Sequence, residues 1–253
     1  MQLEQFPKIQ EAIDYGYELD LGKYINEGIE IFKKNIGNFA GYTAVFFGII
    51  MVSAIIPFIG TIAALILTPS LTVGFYLVAH KLQRNEGTQF SDFFKGFDYI
   101  GQLLLWYLVM ALILGLMMLP FIAGVMVSAF SVLGSSDPSD IPTYVWGLTI
   151  FFIPVIYFSI AWRWAPMFIV FYGMNFWEAM ETSRKLITKK WWMMFLLAMI
   201  IGILGSIGYV ALLVGFLFTY PMAMCIDYMA FANVTGLHTT AHSDEDIVAH
   251  LVD

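Results

Sequence analysis

The chain has a single cysteine, Cys225, among its 253 residues, so no intrachain disulfide can staple it. It is poor in charge as well: 12% of its residues are charged and 60% are hydrophobic, against roughly 25% and 45–50% in a soluble domain. Water cannot cover that much apolar surface, which excludes a soluble globule. No basic segment followed by a short apolar run opens the sequence, because residues 1–20 are acidic and polar; the first apolar span is therefore expected to serve as an uncleaved anchor. There is no glycine-rich phosphate loop, no His-Glu-x-x-His and no Gly-x-Ser-x-Gly, so catalysis has no visible equipment and an enzyme is not expected. No apolar stretch holds a lysine, which removes a retinal Schiff base, and none holds a histidine pair, which counts against a bis-histidine haem. No cofactor, metal or nucleic-acid partner is expected.

What is present is apolar sequence in a repeating frame. Three times a short amphipathic segment rich in Lys or Arg runs into a long apolar stretch, the length of a hairpin of two membrane spans. The segments begin near Tyr24, Phe90 and Asn175. The expected fold is an all-α polytopic membrane helical bundle. It has six spans, arranged as three repeats (23–87, 88–174 and 175–236) of an interfacial amphipathic helix plus a transmembrane hairpin. An acidic N-terminal segment (1–22) and a C-terminal tail (237–253) flank the membrane domain (23–236), and the formal charge of −7 lies mostly in these two ends, read as solvated. The spans are placed at about 39–56, 61–80, 100–132, 144–172, 191–208 and 212–233. An 18-residue helix covers only about 27 Å, so the first and third hairpins are short enough to dip into the bilayer without crossing it.

Charge placement sets an expected topology. Apart from Arg163, every Lys and Arg precedes the first span or lies between spans two and three or four and five. The opposite connections are Pro57 to Gly60, Ser135 to Pro142 and a turn near Gly208 to Leu212, and they carry no basic residue. Cytoplasmic loops collect Lys and Arg, so both termini and both basic loops are expected on the cytoplasmic side of a prokaryotic plasma membrane. The amphipathic stripes read as Ile25, Ile29, Phe32 and Ile36; as Phe90, Phe93, Phe94 and Phe97; and as Trp177, Met180 and Ile187 behind an Asn175/Glu178 cap. Each is expected to pack on its own hairpin as a collar, presenting Lys33, Lys34, Lys95, Arg184, Lys185, Lys189 and Lys190 to lipid.

Two ionisable residues inside apolar stretches are the sharpest functional candidates, Arg163 flanked by Trp162 and Trp164, and Asp227. An Arg at a helix centre costs about 2.5–3.5 kcal/mol on insertion scales, so it needs a partner or water. An ion pair with Asp227 meets that need. Aligning the units on Pro166 and Pro221, however, sets the two residues nine positions apart in depth, about 13 Å at helical rise. Trp162 and Trp164 are placed to shield Arg163 by cation–π contact or to join an aromatic belt. Pro69, Pro166 and Pro221 each mark an expected kink in a returning helix. Gly202, Gly205 and Gly208 mark an expected close helix contact. Met222, Met224, Cys225 and Met229 are soft groups lying close together, but in a chain with 15 methionines they read as packing. His238, His242 and His250 read as solvated tail residues.

Segments such as Ile25-Asn-Glu-Gly-Ile-Glu-Ile-Phe-Lys-Lys34 and Phe176-Trp-Glu-Ala-Met-Glu-Thr-Ser-Arg-Lys185, leading into Gly-rich hairpins, resemble a set of uncharacterised prokaryotic multispanning proteins. That set includes the membrane domain of some glycerophosphodiester phosphodiesterases. The resemblance covers about residues 22–236 and implies a helical bundle in a prokaryotic plasma membrane; no catalytic residue carries over. The expected function is a non-catalytic subunit or scaffold that binds membrane lipid, a protein partner or a second copy of itself. The alternative is a small-solute or ion carrier built on the kinked helices around Arg163 and Asp227.

Overall fold

The computed structural model describes residues 6–56, 58–134, 148–210 and 214–237, and these residues are helical with no strand among them. In chain order the helices are α1 (Pro7–Tyr15), α2 (Leu21–Lys34), α3 (Ile36–Ile55), α4 (Ile59–Gln83), a 3-10 segment (Phe90–Tyr99), α5 (Ile100–Gly134), a 3-10 turn (Leu148–Phe151), α6 (Phe152–Ala161), α7 (Ala165–Tyr172), α8 (Phe176–Thr188), α9 (Trp191–Val210) and α10 (Phe216–Thr235). Five segments are long and apolar enough to cross a membrane: Ile36–Ile55, Ile59–Gln83, Phe90–Val127, Thr149–Tyr172 and Trp191–Gly208. The sixth expected span falls on the 20-residue α10, which is not among them. It carries Asp227 and Asn233, and most of its residues are buried by neighbouring helices.

The amphipathic segments form, though not on the predicted stripes. Asp20 caps α2 by accepting from the Lys23 amide at 2.9 Å, and the helix buries Tyr24, Gly28, Ile31 and Phe32. Ile25 and Ile29 fall to the edge, and Ile36 belongs to the next helix beyond a break at Asn35. The pattern misled because it discounted a glycine: a Cβ on Gly28 would stand 2.6 Å from the Ile226 backbone, so the glycine is what lets α2 close onto α10. The second segment is 3-10, not α. Residues three apart then eclipse, which brings Gly96 onto the inward row with Phe93, while Phe90, first on the same row at the start of the segment, stays exposed. Gly74 and Gly96 bring α4 and this segment into backbone contact, since a Cβ on either would lie about 2 Å from a carbonyl of the other element. In α8 the expected cap forms, Asn175 accepting from the Trp177 and Glu178 amides, but Trp177 is exposed while Ala179, Met180, Ser183 and Leu186 face in.

The collars do not pack on their own hairpins. The helix α2 packs chiefly on α10, the 3-10 segment on α4, and α8 on α7 and α6 with α5. Each segment therefore docks on the hairpin before it in the chain, and the first docks on the last. The joints explain this: α2 meets α3 through Asn35 alone, the 3-10 segment runs directly into α5, and α8 meets α9 through Lys189 and Lys190. A helix joined to its span by two residues or fewer cannot fold back along it, so it offers its apolar face to a neighbour.

The N-terminal segment is likewise more than a solvated end. Its acidic residues in α1 are exposed, but Ile9, Ala12 and Ile13 are buried, with α1 packed on α10 and α8. Phe6 meets Tyr172 edge to face at 4.9 Å, and Tyr17 donates to the Leu186 carbonyl at 3.1 Å. Burial pushes the Tyr17 phenol up from its ordinary range. The dense core sits at this collar end: α4 is buried chiefly from Pro69 to Leu82, α7 throughout most of its length and α10 from Pro221 onward. Pro57, the Ser135 to Pro142 loop, residues 211–213 of the last turn, and the tail with His238, His242 and His250 lie outside the described residues.

Candidate functional site

The polypeptide breaks once between α6 and α7. Pro166 has no N–H to give the Trp162 carbonyl, so the Ala165 amide takes it instead at 3.1 Å, and Arg163 N reaches Ile160 O at 3.2 Å. These tight turns carry Trp162, Arg163 and Trp164 out of helical register. By contrast Pro69, Pro120 and Pro221 sit inside continuous helices.

Arg163 Nη2 reaches Asp227 Oδ2 at 2.9 Å, so the ion pair forms and the proline alignment, which set the two residues about 13 Å apart, misjudged their depth. The same carboxylate accepts from Tyr76 on α4 at 3.1 Å and, through Oδ1, from Trp164 Nε1 at 3.0 Å. Trp164 thus supports the acid, where the sequence suggested that it shields the base; Trp162 lies buried against Phe158, ring centroids 4.7 Å apart. Asp227 is buried, and three donors, one from α4 and two from the α6–α7 break, occupy most of its lone pairs. Such a pair, fully hydrogen-bonded, holds three elements in one arrangement; losing one partner strands the other charge.

Arg163 is less enclosed, its side chain 19% exposed, and it borders a cleft of about 280 Å³ between α4, α5, the α6–α7 break and α10. Two N–H groups at this cleft, Arg163 Nε and Trp106 Nε1, are buried without a hydrogen-bond partner among the described residues. The nearby hydroxyls do not serve them from the front: Thr68 donates to Ala64 O, Thr72 to Thr68 O and Ser159 to Val155 O. Sequence reading missed Tyr76 and Trp106 altogether. The only signal available was a polar ring atom inside an apolar stretch, a property shared with many aromatic residues elsewhere in the chain. It also missed a smaller cluster in which His80 Nδ1 meets the Tyr228 hydroxyl at 2.7 Å and Tyr228 donates to Gln83.

Five of the seven cations expected at lipid are engaged within the chain. Lys33 pairs with Glu30 at 2.9 Å. Lys34 donates to the Leu82 carbonyl and to Asn85, closing the end of α4. Lys95 joins Lys81 on Asp92, fastening the 3-10 segment to α4. Arg184 grips Glu181 with two bonds at 2.9 and 2.7 Å, and Lys185 approaches the same carboxylate at 3.6 Å. Arg184 holds the Glu181 carboxyl below the usual carboxylate range, burial opposing it. Lys189 and Lys190 are exposed and join no ion pair among the described residues; Trp191 and the strongly exposed Trp192 follow them directly. The glycine contact is partial: Gly208 and Gly205 face α10, with Thr219 donating to the Gly205 carbonyl, while Gly202 meets nothing.

Residues 36–252 match the model of a family described as a domain of unknown function (DUF7847). No curated protein and no solved structure matches the chain.

Proposed function

We propose that this chain, which belongs to the DUF7847 family, is a non-catalytic membrane scaffold that holds anionic lipid at the collar end of its bundle. The observation that carries the reading is the run Lys189-Lys190-Trp191-Trp192, where both lysines are exposed and Trp192 is 76% exposed. Tryptophan settles at headgroup level, and a lysine near an anionic surface contributes about 1 kcal/mol. Lys33, Lys34, Lys95, Arg184 and Lys185 are each engaged in an ion pair or hydrogen bond within the chain, whereas on this face two exposed lysines adjoin exposed aromatic surface.

The placement of the collars supports a six-span bundle of three units closing in a ring, each collar on the preceding hairpin. The distribution of Lys and Arg along the sequence is what supports the further reading of a prokaryotic plasma membrane with the termini and the basic end cytoplasmic. Crossing by α10 needs no lipid-facing apolar stripe, because α2, α3, α4 and α9 surround it. The likeness of the collar and hairpin unit to phosphodiesterase membrane domains brings no activity into this reading. A protein partner or a second copy would meet the same end of the molecule.

The test is native mass spectrometry of protein released from nanodiscs of mixed phosphatidylglycerol and phosphatidylcholine. The wild type should keep phosphatidylglycerol selectively, and a Lys189→Ala/Lys190→Ala variant should lose the selectivity while keeping its fold. Equal retention of the two lipids by the wild type would end the proposal. One observation favours a carrier instead: the cleft at Arg163 shares Thr68 and Met224 with a second cleft of about 520 Å³ between α3, α4, α9 and α10. Solute uptake into proteoliposomes that disappears in Met224→Trp would support that alternative.

A further inference from the structure

Two N–H donors of the Arg163 cleft have no acceptor among the described residues, and much of the cleft wall is apolar. Trp106 is nine-tenths buried, yet its Nε1 has no partner; Arg163 is anchored through Nη2, yet its Nε has none. A buried donor without an acceptor is costly, so native structures rarely leave one in place. The acceptor that answers them is constrained by the charge already there. Asp227 matches Arg163 one for one, so a phosphate or carboxylate entering the cleft would add an unpaired negative charge in a low-dielectric site. A neutral oxygen acceptor adds none. The rest of the wall is apolar or soft, with Pro69, Met110, Pro166 and Met224, and a space of about 280 Å³ suits a single ring or ester group and not a whole lipid.

We propose that this cleft binds the uncharged carbonyl group of an apolar lipid, taking hydrogen bonds from Trp106 Nε1 and Arg163 Nε while the hydrocarbon leaves between α4 and α5. Two membrane components present that chemistry, the ring carbonyl of a quinone and the acyl ester of a glycerolipid. The site rests on membrane embedding but not on the lysine and tryptophan face described above, since no residue is shared between them.

The experiment uses the full chain in nanodiscs of dialkyl ether phosphatidylcholine, whose lipid has no ester carbonyl. Decylubiquinone is added in one arm and diacyl phosphatidylcholine in another, and the molecules retained on the protein are counted by native mass spectrometry. One carbonyl probe should be kept at about one per chain, and which one identifies the source. Trp106→Phe keeps the ring and removes the donor, and should weaken retention about fivefold, the scale of one net hydrogen bond. Arg163→Lys keeps the charge on Asp227 and removes Nε–H, and should act in the same direction; Thr72→Leu, which fills the cleft, should abolish retention. Lys189→Ala/Lys190→Ala should leave it unchanged, so failure here and failure of the headgroup reading are told apart. If neither probe is kept above the ether lipid, or if retention survives both Trp106→Phe and Arg163→Lys, the cleft holds only water and the inference is overturned.

Discussion

Helices α5 and α10 are opposites. α5 reads as the strongest membrane span in the chain, with no charge from Ile100 to Gly134, yet beyond Trp106 none of its described side chains is buried. α10 reads weakly, interrupted by Pro221, Asp227 and Asn233, and it is the helix on which α1, α2, α3, α4 and α9 converge. In a water-soluble protein the apolar helix is the interior one. Here the order reverses, as the proposed membrane setting requires: lipid is as apolar as leucine and rewards hydrophobicity on the outside, while the interior can accept polar groups provided each finds a partner. Of these two helices the more apolar one is the more exposed, and polar interruptions mark the centre.

The contrast can be broken at several points. The largest effect is expected from Arg163→Ala, which leaves Asp227 charged, buried and short of its cation; a loss of about 3–5 kcal/mol is expected, read as a collapse of the monodisperse peak in detergent before any functional assay. Survival of Arg163→Ala with wild-type thermal stability would show that α10 is not held by that pair. On the opposite helix, Leu116→Arg places a charge on a lipid-facing position and should cost about 2.5–3.5 kcal/mol at insertion, read in a glycosylation-tag translocation assay, with little change if α5 were interior.

Gly28→Val forces a side chain against the Ile226 backbone and should cost about 1–3 kcal/mol by overpacking. Proteolysis between α2 and α3 should then accelerate, and unchanged protection would refute the docking of α2 on α10. Leu116→Ala removes the same apolar bulk that would be missed in a core and should change thermal stability by no more than about 0.5 kcal/mol; a core-sized loss would mean that α5 is covered by a partner. Smallest is the pH effect at Glu181. Its folded pKa is depressed, so its stabilisation of α8 is complete above the ordinary glutamate value near ~4.3 and fades as pH falls through the depressed one. The melting difference between wild type and Glu181→Gln, a few tenths of a kcal/mol for so accessible a pair, should therefore shrink below about pH 4 and not at neutral pH.

The Asn175 cap was legible in residue order, and the Arg163–Asp227 pair was legible as one answer to two charges in apolar sequence, but kinks were expected alike at Pro69, Pro166 and Pro221 and a break forms only before Pro166. The collar faces were misread at Ile25, Ile36 and Trp177, where periodicity counts hydrophobic residues but takes no account of Gly28 and Gly96, the positions at which backbones meet. The separation assigned to Arg163 and Asp227 failed because prolines in different units were treated as equal in depth, and nothing local fixes how one helix slides along another. Tyr76 and Trp106 were invisible as site residues for the same reason: Tyr76 becomes a donor to Asp227, and Trp106 a wall of the cleft, only once a helix from another part of the chain stands opposite.

Composition and charge placement, which are sums over the chain, by themselves pointed to helices long and apolar enough to cross a membrane, with basic segments ahead of them, since desolvating a backbone or a cation in hydrocarbon is costly wherever it occurs. Tertiary structure alone decided which amphipathic segment docks on which helices, that α10 with its Asp227 and Asn233 lies at the centre, and that two N–H groups are left without a partner among the described residues beside a cleft. These outcomes depend on close approach between segments as much as two hundred residues apart, as where Asn233 donates to Glu27 across |i−j| = 206, and close approach is a property of shape that no local sequence pattern encodes.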